Sequence, residues 1–383
     1  MVDIYTGREQ TQAKHFILKR YLQVLAFKVL TFQDITFVDG FSGPWETKTD
    51  DFRDSSFMIA ISVLQDAQRR VFAARGVRRR IRCFFSESDA QAHGLLREAV
   101  APFDKPDELF EIRTYGGQFE DAIADIQEFI GGSFPLIFID PTGWTGYPFD
   151  KIKPLFDHPK CEVLINFMFD FINRFVSSDD PNTVVSLNPI LGGPGWRDRL
   201  DVTLPRGLAV ERLFRDTLHN VGNFRYVVST KIDKATADRP HFFLAYGTKS
   251  VDGLKVFRDV EYNALREHAR NRANAQERQR ELKSRTSDLF AGHQAGVQEE
   301  TIDEIVDTQK ANAARELLSI LLVRGKMPFS EVVALLLEPH ILRETNVKDI
   351  CVALANAGKI ENTWGGGSRK PQANSRITLK PSL

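Results

Sequence analysis

The chain has 383 residues, of which 42% are hydrophobic and 27% charged, and its formal net charge is +0. This length exceeds one compact core of ordinary size and predicts two domains, or one large domain with an appendage. A balanced charge excludes a polycation, so any affinity for nucleic acid has to come from local patches.

Apolar residues at helical spacing predict an opening amphipathic helix over 14–30. A short strand, Ile35-Thr-Phe-Val-Asp39, then runs into Gly40-Phe-Ser-Gly43. A helical pattern covers 55–74, a second strand 81–86 and a second helix 88–100. A third strand at 110–115 meets Gly116-Gly117 and a helix over 118–130. The fourth strand, Leu136-Ile-Phe-Ile-Asp140, is apolar until its last residue, and a fifth lies at 162–168. Strands alternating with helices predict a parallel sheet covered on both faces. Residues 173–206 are rich in Asn, Asp, Pro and Gly and read as a long loop or lid. Strands at 225–231 and 241–247 leave no room for a crossover helix and should pair antiparallel. A mostly parallel sheet ending in an antiparallel hairpin is the class I methyltransferase arrangement rather than the dinucleotide one, and it is expected over 32–250.

A highly charged helix follows at 264–285, then a linker at 286–310. Residues 311–383 carry three short helices and a Gly-rich hairpin, the layout of a winged helix-turn-helix domain. The expected division is therefore 1–285, 286–310 and 311–383. Cys83, Cys161 and Cys351 are far apart with no Cys-x-x-Cys pair, which argues against a disulfide framework and an all-cysteine zinc site. No metal site is expected. Cys83 and Cys161 sit in apolar runs and read as buried small hydrophobes. The N-terminus has no signal-peptide order and no stretch is apolar enough to span a bilayer, so the expected location is cytoplasmic, away from membranes.

The chemistry lies where strands end, which is where open α/β sheets bind ligands. Asp39, Gly40, Phe41 and Gly43 close the first strand, with glycines that let a ligand approach the backbone and Asp39 suited to the amino-acid end of S-adenosylmethionine (SAM). Glu87 closes the second and suits ribose hydroxyls. Phe119, after Gly116-Gly117, suits adenine. Each motif alone has a plain alternative: a turn, a helix-dipole charge, a core ring. With Asp140-Pro141-Thr142-Gly143-Trp144 after the fourth strand, four motifs in order favour a SAM site over a nicotinamide site, which wants Gly-x-Gly-x-x-Gly after the first strand.

The runs KHFILKRYL (14–22), FVDGFSGP (37–44) and FIDPTG (138–143), with LINF (164–167) and Asn173-Arg174, resemble the three-Cys-motif partner proteins (TcmP). The resemblance covers most of the first 260 residues, and the terminal winged unit is similar to one often appended in that family. It implies a SAM-methyltransferase-like fold in a bacterial protein whose genes often neighbour a three-Cys-motif protein. It implies little about substrate. Where the family usually continues Gly-Pro-Gly, Trp45 follows Pro44 here and is expected to narrow the cofactor cleft.

Asp140-Pro141-Thr142-Gly143-Trp144 partly matches the Asp/Asn-Pro-Pro-aromatic signature of enzymes that methylate base amines. There Asp140 and the Pro141 carbonyl accept from the amine while Trp144 or Tyr147 stacks on a flipped base. The alternative has Asp140 capping a helix and Trp144 packing under the lid. Asn166, Asn173 and Arg174 either contact substrate or anchor the lid. Arginines 69, 70, 75, 78, 79, 80 and 82, and Lys348, Arg369, Lys370, Arg376 and Lys380 in the winged unit, form two basic patches, which read either as phosphate footprints or as solvated faces. The expected function is SAM-dependent methylation of nucleic acid, RNA or DNA, at a base nitrogen. The alternatives are a catalytically degenerate adaptor that binds DNA or a three-Cys-motif partner, and a methyltransferase for a protein or small molecule.

Overall fold

The computed structural model describes residues 5–43, 47–49, 51–178, 180–237, 239–284, 293–364 and 366–381. The chain divides into two compact units, Met1–Ser250 and Val251–Leu383.

In the first unit, α1 (Glu9–Val29) opens the chain and buries Ile17, Leu18, Tyr21, Leu22 and Leu25, a stripe at helical spacing. The strand β1 (Ile35–Asp39) leads to α2 (Ser56–Arg75), which Ser55 caps by accepting from the Met58 N–H. Next come β2 (Ile81–Glu87), α3 (Ala90–Val100), capped by Asp89, and β3 (Phe110–Gly116). After them stand α4 (Ile123–Ile130), β4 (Phe134–Ile139), α5 (Phe149–Phe156) and β5 (Glu162–Phe167). Two short helices, α6 (Phe169–Phe175) and α7 (Pro181–Leu187), precede α8 (Arg206–Gly222) and the strands β6 (Tyr226–Asp233) and β7 (Pro240–Thr248).

These strands form one sheet in the order β3-β2-β1-β4-β5-β7-β6. All neighbours among β1 to β5 are parallel, and β7 runs antiparallel to both β5 and β6. This is the class I methyltransferase-like arrangement expected from the sequence. Every residue of β1 and β5 is buried, because helices cover both faces. Side chains alternate accordingly. Val38, Phe84, Ile137, Val163 and Ile165 join a cluster with α4, α5 and α8. Phe37, Phe85 and Phe138 pack together on the other face, with Phe57 of α2 against Phe85.

The segment expected to be a loop or lid contains the helix α7 and is pinned to the core at a few points. Leu187, Ile190, Leu191 and Trp196 are buried in the core cluster, so α7 and the turn after it are anchored by their apolar residues despite the Asn, Pro and Gly around them. Cys83 and Cys161 are buried, as their apolar surroundings predict.

The second unit begins with α9 (Val251–Ser284), so the charged helix groups with the C-terminal elements rather than with the first domain. Next comes α10 (His293–Arg324), whose first half falls in the stretch expected to be linker. Then follow β8 (Met327–Pro328), α11 (Phe329–Leu337), α12 (Glu344–Asn356) and β9 (Arg376–Ile377), which pairs antiparallel with β8. Ile360 bridges to Leu379. Among the described residues no helix is long and apolar enough to cross a membrane.

Candidate functional site

The carboxyl ends of β1, β2, β3, β4 and β5 carry Asp39, Glu87, Gly116, Asp140 just beyond Ile139, and Asn166. Because β7 is antiparallel, its first residues reach the same edge, where Phe243 pairs with Phe167. His241 and Phe242 are therefore delivered to the site by topology alone.

Two cavities open at this edge, each of about 500 Å³, within the range of roughly 300–1,000 Å³ usual for small-molecule sites. The first is lined by Gly40, Phe41, Glu87, Phe119 and residues after β4. The second is lined by Arg8, Lys14 and His15 of the N-terminal segment, Gly43, Asp54, Asn166, Met168, His241 and Phe242. Phe41, Asp140, Pro141 and Thr142 belong to both.

The turn after β1 is held by a closed set of hydrogen bonds. Asp39 accepts from the Phe41 N–H (3.0 Å) and the Ser56 hydroxyl (2.6 Å). Ser42 N–H donates to the Ser86 carbonyl, and the Ser86 hydroxyl to the Gly40 carbonyl. Asp39 is wholly buried and lines neither cavity. Burial is the chief force on its carboxyl and lifts it from 3.8 to about 7, against the hydrogen bonds from Ser56 and Phe41. Its place is beneath the turn, which it shapes.

Gly40 lies against the ring of Phe119, where an added Cβ would come within 2.8 Å. Phe119 is 2% exposed and has Phe41 at 5.9 Å between ring centroids. Glu87 accepts from the Asp89 N–H at 2.7 Å and lines the first cavity. Gly43 lines the second cavity. Trp45, expected to narrow the cleft, lies outside the described residues.

Asp140 is held from two sides. Lys14 Nζ donates to Oδ2 at 2.5 Å, and Asn166 Nδ2 donates to Oδ1 at 2.7 Å. Trp144 lines neither cavity: its indole N–H donates to Ser186 of α7 (3.2 Å) and its ring packs on Phe175 at 5.1 Å. Tyr147 is wholly buried in the core, and its hydroxyl has no hydrogen-bond partner among the described residues. Asn173 accepts from Arg206, and Arg174 pairs with Asp170.

Sequence reasoning did not single out Arg8, Lys14, His15, Asp54, Met168, His241 or Phe242 as site residues. Lys14 and His15 look like ordinary members of an amphipathic helix. The one available signal was the antiparallel last strand, which returns 241–242 to the site edge.

Among the arginines at 69–82, Arg69 and Arg70 pair with Asp66, Arg78 with Glu108, and Arg80 and Arg82 with Glu111. They gather around the start of β2, the opposite edge of the sheet from the cavities. In the second unit, Lys348 pairs with Glu344 and Lys370 with Asp349.

No family model matches the chain, and no curated protein matches it. Among solved structures, an O-methyltransferase from Bacillus cereus in complex with SAH is similar at 13% identity and a TM-score of 0.33, over 60% of this chain and 80% of that one. The O-methyltransferase TomG from Streptomyces achromogenes, in complex with SAM, is similar at 13% identity and a TM-score of 0.33, over 61% of this chain and 79% of that one. Likeness this distant carries no weight on chemistry, and the strand order of the sheet stands on its own.

Proposed function

We propose that this chain is a SAM-dependent methyltransferase with cofactor in the first cavity and methyl acceptor in the second. One observation carries the reading. The two cavities meet at Phe41, Asp140, Pro141 and Thr142, at the strand ends of a methyltransferase-like sheet. Transfer between two bound molecules needs sites that adjoin, because the reacting atoms have to approach in line with little freedom left.

The residues of the first cavity fit the cofactor. Its volume suits a nucleoside-sized ligand, and the buried Glu87 carboxylate suits the two ribose hydroxyls. Gly40 and Phe41 present backbone at the turn, Asp39 holds that turn from beneath, and Phe119 supplies an apolar wall. SAM, when bound, supplies a methyl group on a sulfonium that any well-placed nucleophile can accept. The protein's part is to orient the acceptor on the Asp140–Pro141 wall and to keep water from it.

The finer reading is transfer to a base nitrogen of RNA or DNA. Asp140 and the Pro141 carbonyl support it by their place on the shared wall. The arginine cluster at 69–82 does not, since most of it is ion-paired at the far edge of the sheet. For the C-terminal unit, the order helix, strand, two helices and returning strand supports a winged helix-turn-helix. On this reading it binds nucleic acid or a three-Cys-motif partner protein.

A non-catalytic adaptor is the second reading. The observation that favours it is that both oxygens of Asp140 are already bonded, to Lys14 and Asn166. Incubation with methyl-labelled SAM and separate RNA, DNA and protein fractions decides between them. Label in a nucleic acid fraction is the expected result. Label in none, in a protein that binds SAM, overturns the enzymatic reading.

A further inference from the structure

The charged residues that line the first cavity are all acids. Glu87, Glu120 and Asp140 reach its wall, and among the described residues no lysine, arginine or histidine lines it. Two of the three acids are engaged. Asp140 faces Lys14 at 2.5 Å, and Glu87 accepts from the Asp89 N–H. Glu120 is held more loosely. Its counter-ion is Lys151, 3.6 Å from Oε1, and that lysine side chain is 53% exposed, so water screens the pair and little of the negative charge is offset. The other oxygen, Oε2, is buried and has no hydrogen-bond partner among the described residues. The charge of Glu120 is therefore felt inside the cavity, where the surrounding wall screens it less than bulk water would.

Glu120 also stands near the place where the two cavities meet. A Cβ on Gly146 would lie 3.2 Å from the Phe41 ring and 4.0 Å from Glu120 Oε2, so the carboxylate is close to Phe41, a residue common to both cavities. A methyl group bound for the second cavity has to point at that junction, which brings the sulfonium that carries it near Glu120. In the transfer the methyl group bonds to the acceptor and the sulfur keeps the electron pair of the broken S–C bond. SAM therefore enters with a positive sulfur and SAH remains with a neutral one. Attraction between unlike charges acts over several ångströms in a protein wall and needs no direct contact.

We propose that Glu120 makes the first cavity prefer SAM to SAH by its negative charge, so that loss of the sulfonium loosens the hold on the product. The proposal rests on the reading of the first cavity as the cofactor site. It goes further by assigning discrimination between the two cofactor forms, and with it the release of SAH, to the residue after Phe119.

The test is calorimetric titration of the full chain and of Glu120→Gln with three ligands. These are SAM, SAH and sinefungin, which carries a protonated amine in place of the sulfonium. The wild type should bind SAM and sinefungin each about tenfold more tightly than SAH. Glu120→Gln should weaken both cationic ligands by most of that factor and leave SAH within twofold, which also shows that the variant is folded. Should the variant lose SAH as well, the ranking of the three ligands on the wild type decides. SAH bound as tightly as SAM, sinefungin that follows SAH, or a preference that survives Glu120→Gln overturns the proposal while the cofactor reading stands. If none of the three binds the folded wild type, the cofactor reading falls and the proposal with it.

Discussion

Lys14 Nζ lies 2.5 Å from Asp140 Oδ2, which ties the first helix of the chain to the end of the central strand β4. One helical face makes two such ties, because Tyr21, seven residues on, donates to Glu162 at the start of β5. Seven residues of helix rise about 10 Å, and the four residues from Glu162 to Asn166 span about 13 Å of strand. The helix α1 therefore runs along the sheet from its active edge to its opposite edge. It is part of the site as well as of the core.

Lys14→Met should destabilise the protein by roughly 1–2 kcal/mol, less than a fully buried pair because both side chains keep some solvent contact. Urea denaturation measures this. Lys14→Met combined with Asp140→Asn should lose less than the two single changes together, since the pair is one interaction. Strict additivity would mean that the contact contributes nothing.

Asp39 makes a prediction about pH. Its folded carboxyl titrates at about 7, against 3.8 for the ordinary group. Between these values the folded state holds the proton that the unfolded state has lost, so this group's contribution to stability falls as pH rises from about 4 to about 7 and then levels off. The span corresponds to at most roughly 4 kcal/mol. Asp39→Asn should remove that slope and be more stable than wild type at pH 8, relative to its value at pH 4. Parallel stability curves for the two proteins over this range would show that Asp39 does not titrate there.

Gly40→Ala should impair the first cavity. The new methyl group meets the Phe119 ring at 2.8 Å, and a ring in a packed core has little room to yield. A loss of roughly 1–3 kcal/mol in stability is expected, with SAM affinity down at least tenfold in calorimetry. Wild-type affinity in the variant would mean that the ring moves without consequence for the cavity.

Glu162→Ala is the contrasting case. Glu162 accepts from Tyr21 and from Thr248 (2.9 Å) at the edge of the sheet away from the cavities. Its removal leaves buried hydroxyls without their acceptor and should cost about 2–4 kcal/mol. SAM affinity at a temperature where the variant is folded should stay within twofold. A large loss of affinity would mean that the two edges of the sheet are coupled.

The parts of this fold that sequence exposes are those governed by local pattern. β1, β4 and β5 are apolar runs buried on both faces, and the sequence places them to within a residue or two. α5 escapes notice because Pro154 lies inside it, and α8 because it follows directly on the Gly- and Pro-rich segment. Of the candidate residues, Gly40, Phe41, Glu87, Phe119, Asp140 and Pro141 come together at the first cavity, since each closes or follows a strand. Trp144 does not join them, because its ring is taken up by Ser186 and Phe175, partners far along the chain. The second cavity was legible only in part: Gly43, Asp140, Pro141 and Asn166 were candidates because they close or follow strands, whereas Lys14 and His15 were not. Lys14, Asn166 and His241 are brought together by packing and topology, and no spacing in the sequence encodes that meeting.

The most direct test of the central claim is isothermal titration of SAM into the full-length protein and into its Glu87→Ala variant, each shown to be folded. Saturable binding to the wild type, weakened at least tenfold in the variant, is the result predicted by a cofactor site at the ends of β1 and β2. No binding to the folded wild type, or binding indifferent to Glu87, would contradict it.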